Sequence, residues 1–366
     1  MKYYLMAGEA SGDLHGSNLM KAILKEDVQA EFRFWGGDLM ASVGGEPVKH
    51  YRDLAFMGFL EVAKNIRTIL KNMKFCKQDI LKYQPDILIL IDYPGFNLPI
   101  AKFAKSHHIR VVYYISPQLW AWKEGRVEQI RKNVDDLLVI LPFEEDFYKK
   151  HHIKAHFVGH PLLDAISELP VLDANEFKEN HHLNSKKIIA LLPGSREQEV
   201  EKMLALMLSV RPYFTDYQFV IAGAPSLPKS FYEKFVDDDV HFVSNETYKL
   251  LQVSEAALVT SGTATLETAL LNVPEVVCYR GSTISYEIGK RLVKNIKYIS
   301  LVNLIMDREV VKELIQHDLT TENLVKELNL VLGENRAKIL SYYVVLREKL
   351  GGKGASDNAA RLIVKK

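Results

Sequence analysis

Two cysteines in 366 residues, Cys76 and Cys278, give no disulfide framework and no metal-ligand spacing, which suits a reducing compartment. Net charge is just as scarce. The 47 basic and 46 acidic side chains leave +1, which argues against bulk nucleic-acid binding without excluding a local basic patch. No apolar run is long enough to span a bilayer. The first residues pass straight into an apolar run at 3–7, without the basic region, apolar segment and cleavage site of a secretion signal. Twelve histidines include three adjacent pairs but no zinc-site spacing, and Asp237, Asp238 and Asp239 read as a solvated run rather than a metal triad. There is no G-x-x-x-x-G-K-[ST], so P-loop hydrolysis is out, and no G-x-G-x-x-G, so a dinucleotide dehydrogenase is disfavoured. Repeats of solenoid period and low-complexity tracts are missing too. These absences predict a soluble cytoplasmic protein and leave a peripheral membrane contact open.

What the chain does contain is βαβ punctuation. Short apolar runs alternate with amphipathic segments: YYLMAG and a helix over about 13–25, FRFWGG and a short helix, DILILID and a helix through Lys102, then VVYYIS, LLVILP and HFVGHP. Residues 161–185 break the rhythm with two prolines and a polar run. It restarts with IIALLPGS, a helix over about 197–209, QFVIAGAP, HFVS, AALVTSG, EVVCYRG and YISLVN, and helices dominate from Glu309 onward. The pattern predicts an α/β protein of two Rossmann-like parallel-sheet domains, 1–165 and 166–344, facing across a cleft. Ligands should sit at the carboxyl ends of strands in both.

Five stretches are candidates for chemistry. In EAALVTSGTATLETALLNVP, residues 255–274, a buried strand turns through Ser261, Gly262 and Thr263 into a helix whose first N–H groups favour an anion. Glu267, one turn on, is a lone carboxylate on an apolar helix, and a sugar diol would partner it; a capped helix with a solvated Glu is the plainer reading. In LLPGSREQEV, Gly194 and Ser195 offer donors at a helix start, and Arg196 brings a fork suited to phosphate where a cation is misplaced unless an anion is bound. The alternative there is an Arg reaching into solvent. GEASGDLHG, residues 8–16, sets Glu9, Ser11 and Asp13 within one turn of a strand end; capping explains Ser11 and Asp13 well and Glu9 poorly. IDYPGFN ends the most apolar strand at Asp92, where partial desolvation would raise a carboxylate's pKa toward that of a useful base, with Asn97 placed to cap the next helix. Asp before a turn is also common for structural reasons. Residues 57–76 have apolar side chains at helical spacing and Lys64, Arg67, Lys71, Lys74 and Lys77 largely elsewhere: core packing with a solvated lysine face, or contact with anionic lipid.

Taken together and in order, GEASGDLHG, DYPGFNLPIAKFAK, YYISPQLWAWKEGR, VGHPLLD, LLPGSREQEV, TSGTATLETAL and NLIMDREVVKELIQ resemble the motifs of lipid-A-disaccharide synthases over nearly the whole length. The resemblance implies a GT-B glycosyltransferase whose C-terminal helix, about 345–366, packs back on the first domain. It implies inverting transfer of 2,3-diacylglucosamine from its UDP donor to the 6-hydroxyl of 2,3-diacylglucosamine 1-phosphate, giving a β-1,6 disaccharide and UDP, at the inner-membrane surface. By matched position, Asp92 is the base and Glu9, Ser11 and Asp13 are the first-loop signature on the acceptor side. Gly194, Ser195, Arg196, Ser261, Gly262, Thr263, Glu267 and Asn303 hold UDP. Val302 stands where many members have Pro, and Gly95 where many have Asp. Helix N-termini and Arg196 on the diphosphate leave no need for a metal or other cofactor. The rival expectations are an enzyme like a UDP-N-acetylglucosamine 2-epimerase, which needs no acceptor, and a non-catalytic nucleotide-sugar sensor.

Overall fold

The computed structural model describes residues 1–54, 66–122, 124–195, 197–224, 227–237, 239–281 and 297–365. It divides into two units, Met1–Asp164 with Leu350–Lys366, and Ala165–Lys349.

Unit 1 is a seven-stranded parallel sheet: β1 Lys2–Ala7, β2 Glu31–Gly36, β3 Glu46–His50, β4 Ile87–Ile91, β5 Arg110–Tyr114, β6 Asp136–Val139 and β7 Ala155–Phe157, in spatial order β3-β2-β1-β4-β5-β6-β7. Both faces are covered, so β4 is the unbroken apolar run ILILI with every residue buried. Alternate side chains feed two cores. Tyr3, Leu5, Ile89 and Ile91 pack with Leu19 and Ile23 of helix Ala10–Glu26, and Tyr4, Met6, Leu88 and Leu90 pack with Cys76, Ile80 and Ala101. The last helix, Ala355–Val364, closes the first core with Ala359, Ala360 and Ile363. It is pinned at both ends. Asp164 accepts from the Gly354 and Ser356 N–H groups at 2.6 and 3.1 Å, and Arg110 donates to the Ile363 carbonyl at 2.7 Å. Gly351, Gly352 and Gly354 lead into that helix with φ of 88°, 72° and 101°, a left-handed path that favours glycine.

Unit 2 has six parallel strands: β8 Lys187–Leu192, β9 Tyr217–Gly223, β10 Val240–Ser244, β11 Ser254–Thr260, β12 Glu275–Tyr279 and β13 Lys312–Ile315, in order β10-β9-β8-β11-β12-β13. Here the structure corrects two expectations. YISLVN forms no strand: Ser300 caps a helix, Leu301–Met306, accepting from the Asn303 N–H at 3.3 Å. The sixth strand is instead Lys312–Ile315, inside the stretch expected to be helical. A short apolar run has no period with which to choose between strand and helix, so the cap decides.

Glu275, the first residue of β12, is wholly buried, and neither carboxyl oxygen has a hydrogen-bond partner among the described residues. Burial, with the nearby Glu313 carboxylate adding, pushes its pKa well above the usual 4.5. The native state thus binds this proton more tightly than the unfolded chain, and stability falls as pH rises above the ordinary glutamate range. Replacing Glu275 with Met, apolar and similar in volume, should stabilise unit 2 by about 1–3 kcal/mol near neutral pH, with a smaller gain at pH 4. Thermal melts at the two pH values check this, and an unchanged midpoint at both would refute it.

Candidate functional site

In each sheet the strand order runs 3-2-1 to one side and 4-5-6 to the other, the doubly wound arrangement. The winding reverses between β1 and β4 in unit 1 and between β8 and β11 in unit 2, and ligands of such sheets bind beyond the carboxyl ends at that reversal. The loops there are those carrying Glu9 and Asp92 in unit 1, and Gly194 and Gly262 in unit 2. Four separate sequence stretches have become two pairs.

In unit 1, β1 and β4 are hydrogen-bonded neighbours with Ala7 opposite Ile91, so their exit loops meet. Gly8 makes the meeting possible. A Cβ there would stand 2.4 Å from the ring of Tyr93. Asp92 and Tyr93 both adopt left-handed backbone, with φ of 43° and 47°, at a cost of about 1–2 kcal/mol per residue. The pair is held from beneath: the Asp92 carbonyl accepts from the Tyr113 hydroxyl at 2.6 Å and from the Asn97 amide at 2.8 Å, while Asn97 also donates to the Ile91 carbonyl at 3.2 Å. Asn97 is therefore no N-cap. It lies inside helix Pro94–Ser106, buried, and reaches back to lock the turn.

Asp92 is exposed by surface area, yet protein crowds its carboxylate on several sides. That desolvation, with Glu9 adding its charge, raises the pKa to about 6. Glu9 is half-buried at the N-cap of helix Ala10–Glu26, which begins three residues sooner than the sequence suggested, and Ser11 is exposed on its first turn. Asp13 turns inward. Its oxygens accept from the backbone N–H groups of Gly37, Met40 and Leu39 at 2.7, 3.0 and 3.1 Å, capping helix Asp38–Val43 from outside it. A buried carboxylate fully engaged in this way is a structural cap, not a group offered to a ligand. Sequence reasoning missed Glu144, whose carboxyl accepts from Ile140 and Leu141 N–H at 3.2 and 3.0 Å and which burial pushes up to about 8, with the Asp92 charge contributing.

In unit 2, β8 and β11 are neighbours, with Leu192 opposite Val259. Gly194 has φ 110°, and Ser195 is exposed just before helix Glu197–Leu208. Arg196 lies outside the described residues. Across from them Gly262, at φ 159° and ψ −163°, precedes helix Thr263–Leu270, and among the described residues no atom beyond its chain neighbours lies within 4 Å of where a Cβ would stand. A ligand can therefore approach this backbone closely. Thr263 is exposed, whereas the Ser261 hydroxyl is already used, donating to the Ile299 carbonyl at 3.0 Å. Glu267 is half-buried and accepts from the Tyr248 hydroxyl at 3.0 Å, and burial raises its pKa while that bond opposes the shift. Tyr248 was invisible to sequence reasoning. Nothing in the pattern connects helix Thr247–Gln252 with helix Thr263–Leu270.

Asn303 is wholly buried and its amide is saturated. It donates to the Val311 carbonyl and to Glu313 at 2.8 and 2.9 Å, and accepts from the Val310 and Val311 N–H groups at 2.7 and 3.0 Å. The side chain organises its loop and has no donor or acceptor left for a nucleotide.

Of residues 57–76, 57–65 lie outside the described residues. The remainder opens helix Ile66–Tyr83, where Ile66 and Leu70 are exposed at 46% and 57% among exposed Arg67, Lys71 and Lys74. Among the described residues no helix is long and apolar enough to cross a membrane, and no group of three His, Cys, Asp or Glu side chains could hold a metal ion.

Solved structures share this architecture. A UDP co-structure of S. aureus MnaA superposes with a TM-score of 0.71 at 14% identity, covering 99% of this chain and 95% of that one. The UDP-GlcNAc 2-epimerase of Methanocaldococcus jannaschii, in complex with UDP-GlcNAc and UDP, gives 0.66 at 13% identity over 100% of both chains. At such identities the likeness is one of fold. Two doubly wound α/β domains, each with paired loops at its reversal point, define a protein of the GT-B class. Sequence comparison is narrower. Residues 3–364 match the family described as lipid-A-disaccharide synthetase. Curated lipid-A-disaccharide synthases from Syntrophus aciditrophicus and Geobacter metallireducens are 39% and 38% identical, covering 97% and 98% of this chain and 95% and 96% of theirs. One from Coxiella burnetii is 36% identical over 98% of this chain and 96% of its own. The chain belongs to the lipid-A-disaccharide synthetase family, and it is a glycosyltransferase.

The cap role of Asp13 gives a clear contrast. Asp13→Ala strands two buried backbone donors and one part-buried one and should cost about 1–3 kcal/mol, whereas Ser11→Ala at an exposed position should stay within about 0.5 kcal/mol. Urea midpoints of the two variants decide between this and a purely chemical role for Asp13.

Proposed function

We propose that the chain joins two acylated sugars by inverting transfer, with Asp92 as the base and the β8 and β11 loops of unit 2 holding UDP. The donor is UDP-2,3-diacylglucosamine and the acceptor 2,3-diacylglucosamine 1-phosphate. The Asp92 carboxylate takes the proton of the acceptor's 6-hydroxyl as that oxygen bonds to the donor's anomeric carbon. The bond from that carbon to the β-phosphate oxygen breaks on the opposite face, and UDP departs with the electron pair. Its growing charge is met by the N–H groups at Gly194, Ser195, Gly262 and Thr263, by the N-termini of the two helices and by Arg196. Glu267 accepts from a ribose hydroxyl with Tyr248 holding it in place, and Glu9 and Ser11 line the acceptor side. The charge is neutralised without a metal, so turnover should survive excess EDTA; its loss, restored by a divalent cation, would remove that part of the reading.

The single observation that carries the reading is the carboxylate at the reversal point of unit 1, on a strained turn, with its pKa raised to about 6. Such a group is mostly ionised at neutral pH and basic enough to accept a proton in the transition state. Asp92→Asn suits the test, because Asn tolerates left-handed backbone. It should lower kcat by about 10²–10⁴-fold and leave the UDP dissociation constant within twofold. The native pKa lies above the usual 3.8, so the charged form costs stability at neutral pH, and the cost disappears below about 4. The same variant should therefore melt slightly higher at pH 7, by less than about 2 kcal/mol after solvent screening. In the wild type, kcat/KM should fall tenfold per unit below pH 6. A profile flat down to pH 4.5, or an active Asp92→Asn, removes Asp92 from the mechanism.

An epimerase-like activity is separated by one assay, since release of UDP should depend strictly on the acylated acceptor. Both substrates carry acyl chains, so helix Ile66–Tyr83, with Ile66 and Leu70 exposed among basic residues, is assigned to the inner-membrane surface.

A further inference from the structure

The turn assigned to UDP does not stand alone. Ser261 donates its hydroxyl to the Ile299 carbonyl at 3.0 Å and its N–H to the Cys278 carbonyl at 3.0 Å, so its side chain is tied to the segment that leads into helix Leu301–Met306. That segment is gathered on one carboxylate. Glu313 of β13 accepts from the Ile299 N–H through Oε2 at 2.9 Å. Its Oε1 takes the Ser300 N–H at 2.9 Å, the Ser300 hydroxyl at 2.7 Å and the Asn303 amide at 2.9 Å. Four donors on one carboxyl group leave it little freedom. Ile299 is the shared member: its N–H is fixed by Glu313 and its carbonyl fixes Ser261, the residue before Gly262.

We propose that Glu313 is a positioning residue for the nucleotide: through the Ile299 peptide it sets the conformation of the Ser261–Gly262 turn, two strands away, while touching no ligand itself. The inference rests on the reading that unit 2 holds UDP at this turn. It also gives Asn303 a definite task. Saturated by Val310, Val311 and Glu313, the amide locks the far end of the same segment to β13. Pre-ordering the turn matters because Gly262 has no side chain to hold it and, among the described residues, open space where one would be.

Glu313→Gln is a selective probe. With its oxygen at the Oε1 site it can keep Ser300 and Asn303, but its NH₂ then faces the Ile299 N–H, donor against donor. The probe ligand is UDP itself, titrated calorimetrically against the full chain. Glu313→Gln should weaken UDP about tenfold, Ser261→Ala by a similar factor, and the double variant scarcely further, because both cut one path. At saturating donor kcat should fall less than the donor KM rises, since only the grip is loosened. Should Glu313→Gln not melt cooperatively, Ser300→Ala, which gives up one of the four bonds and the cap on the Asn303 N–H, takes its place in the same cycle. UDP affinity within twofold of wild type, or losses that multiply in the double variant, would overturn the inference. Wild-type chain that binds no UDP would instead overturn the reading beneath it.

Discussion

A carboxylate in open water is too weak a base to draw a proton from an alcohol, so the transfer proposed above depends on partly removing water from Asp92 while leaving it reachable. The turn at the end of β4 does both. Two consecutive left-handed residues swing the chain sharply off the sheet, leaving Asp92 at the rim with protein around its carboxylate and Glu9 close by. Such a path is unfavourable by itself and persists only where its surroundings over-determine it. Here they do: Tyr113 and Asn97 both donate to the Asp92 carbonyl, and the Tyr93 ring fills the space that Gly8 leaves open. Glycine on one strand, strain on its neighbour and a buried amide beneath are one device.

The same economy appears in unit 2 with the opposite electrostatic sign. For the proposed grip on UDP the need there is fixed positive potential, which helix starts and bare backbone can supply at Gly194 and Gly262. Bare backbone lacks side chains to hold it, so the holding is done from further out. Ser261 spends its hydroxyl on Ile299 and Tyr248 spends its own on Glu267. Residues that look like ligand donors in the sequence are in part scaffolding, and the acceptors of their bonds are main-chain carbonyls or carboxylates from other elements.

That division explains what could be read without coordinates. The run ILILI followed by Asp, and AALV followed by a Ser-Gly-Thr turn, are local patterns, and strand, loop and helix all follow within a dozen residues. Asp13 was legible as a capping type, but not as the cap of the helix it serves, because that helix starts at Asp38. Asn97 was legible as a capping type, but its true partners lie behind it on β4 and its turn. Tyr248 and Glu144 carried no signal and Glu313 none beyond its place in NLIMDREVVKELIQ, since each acquires meaning only from a neighbour that the fold brings to it. The two misplaced elements near the end, a helix at Leu301–Met306 and a strand at Lys312–Ile315, have the same cause: Asn303 and Glu313 join them by contacts that no periodicity encodes.

Glu275 and Glu313 show how far environment outweighs residue type. Both are glutamates on adjacent paired strands of one sheet. Glu313 meets four donors, whereas Glu275 meets none among the described residues and is driven to keep its proton. The difference is where each falls on its strand. Glu275 begins β12 wholly buried, followed by buried Val276 and Val277, while Glu313 lies half-buried on the edge strand β13, where Ile299, Ser300 and Asn303 bring it donors. A charge is tolerated in the interior only where a segment comes to meet it. In unit 2 the segment that brings four donors to half-buried Glu313 also holds Ser261, the residue before Gly262, so on the proposed reading one segment serves the carboxylate and the turn alike.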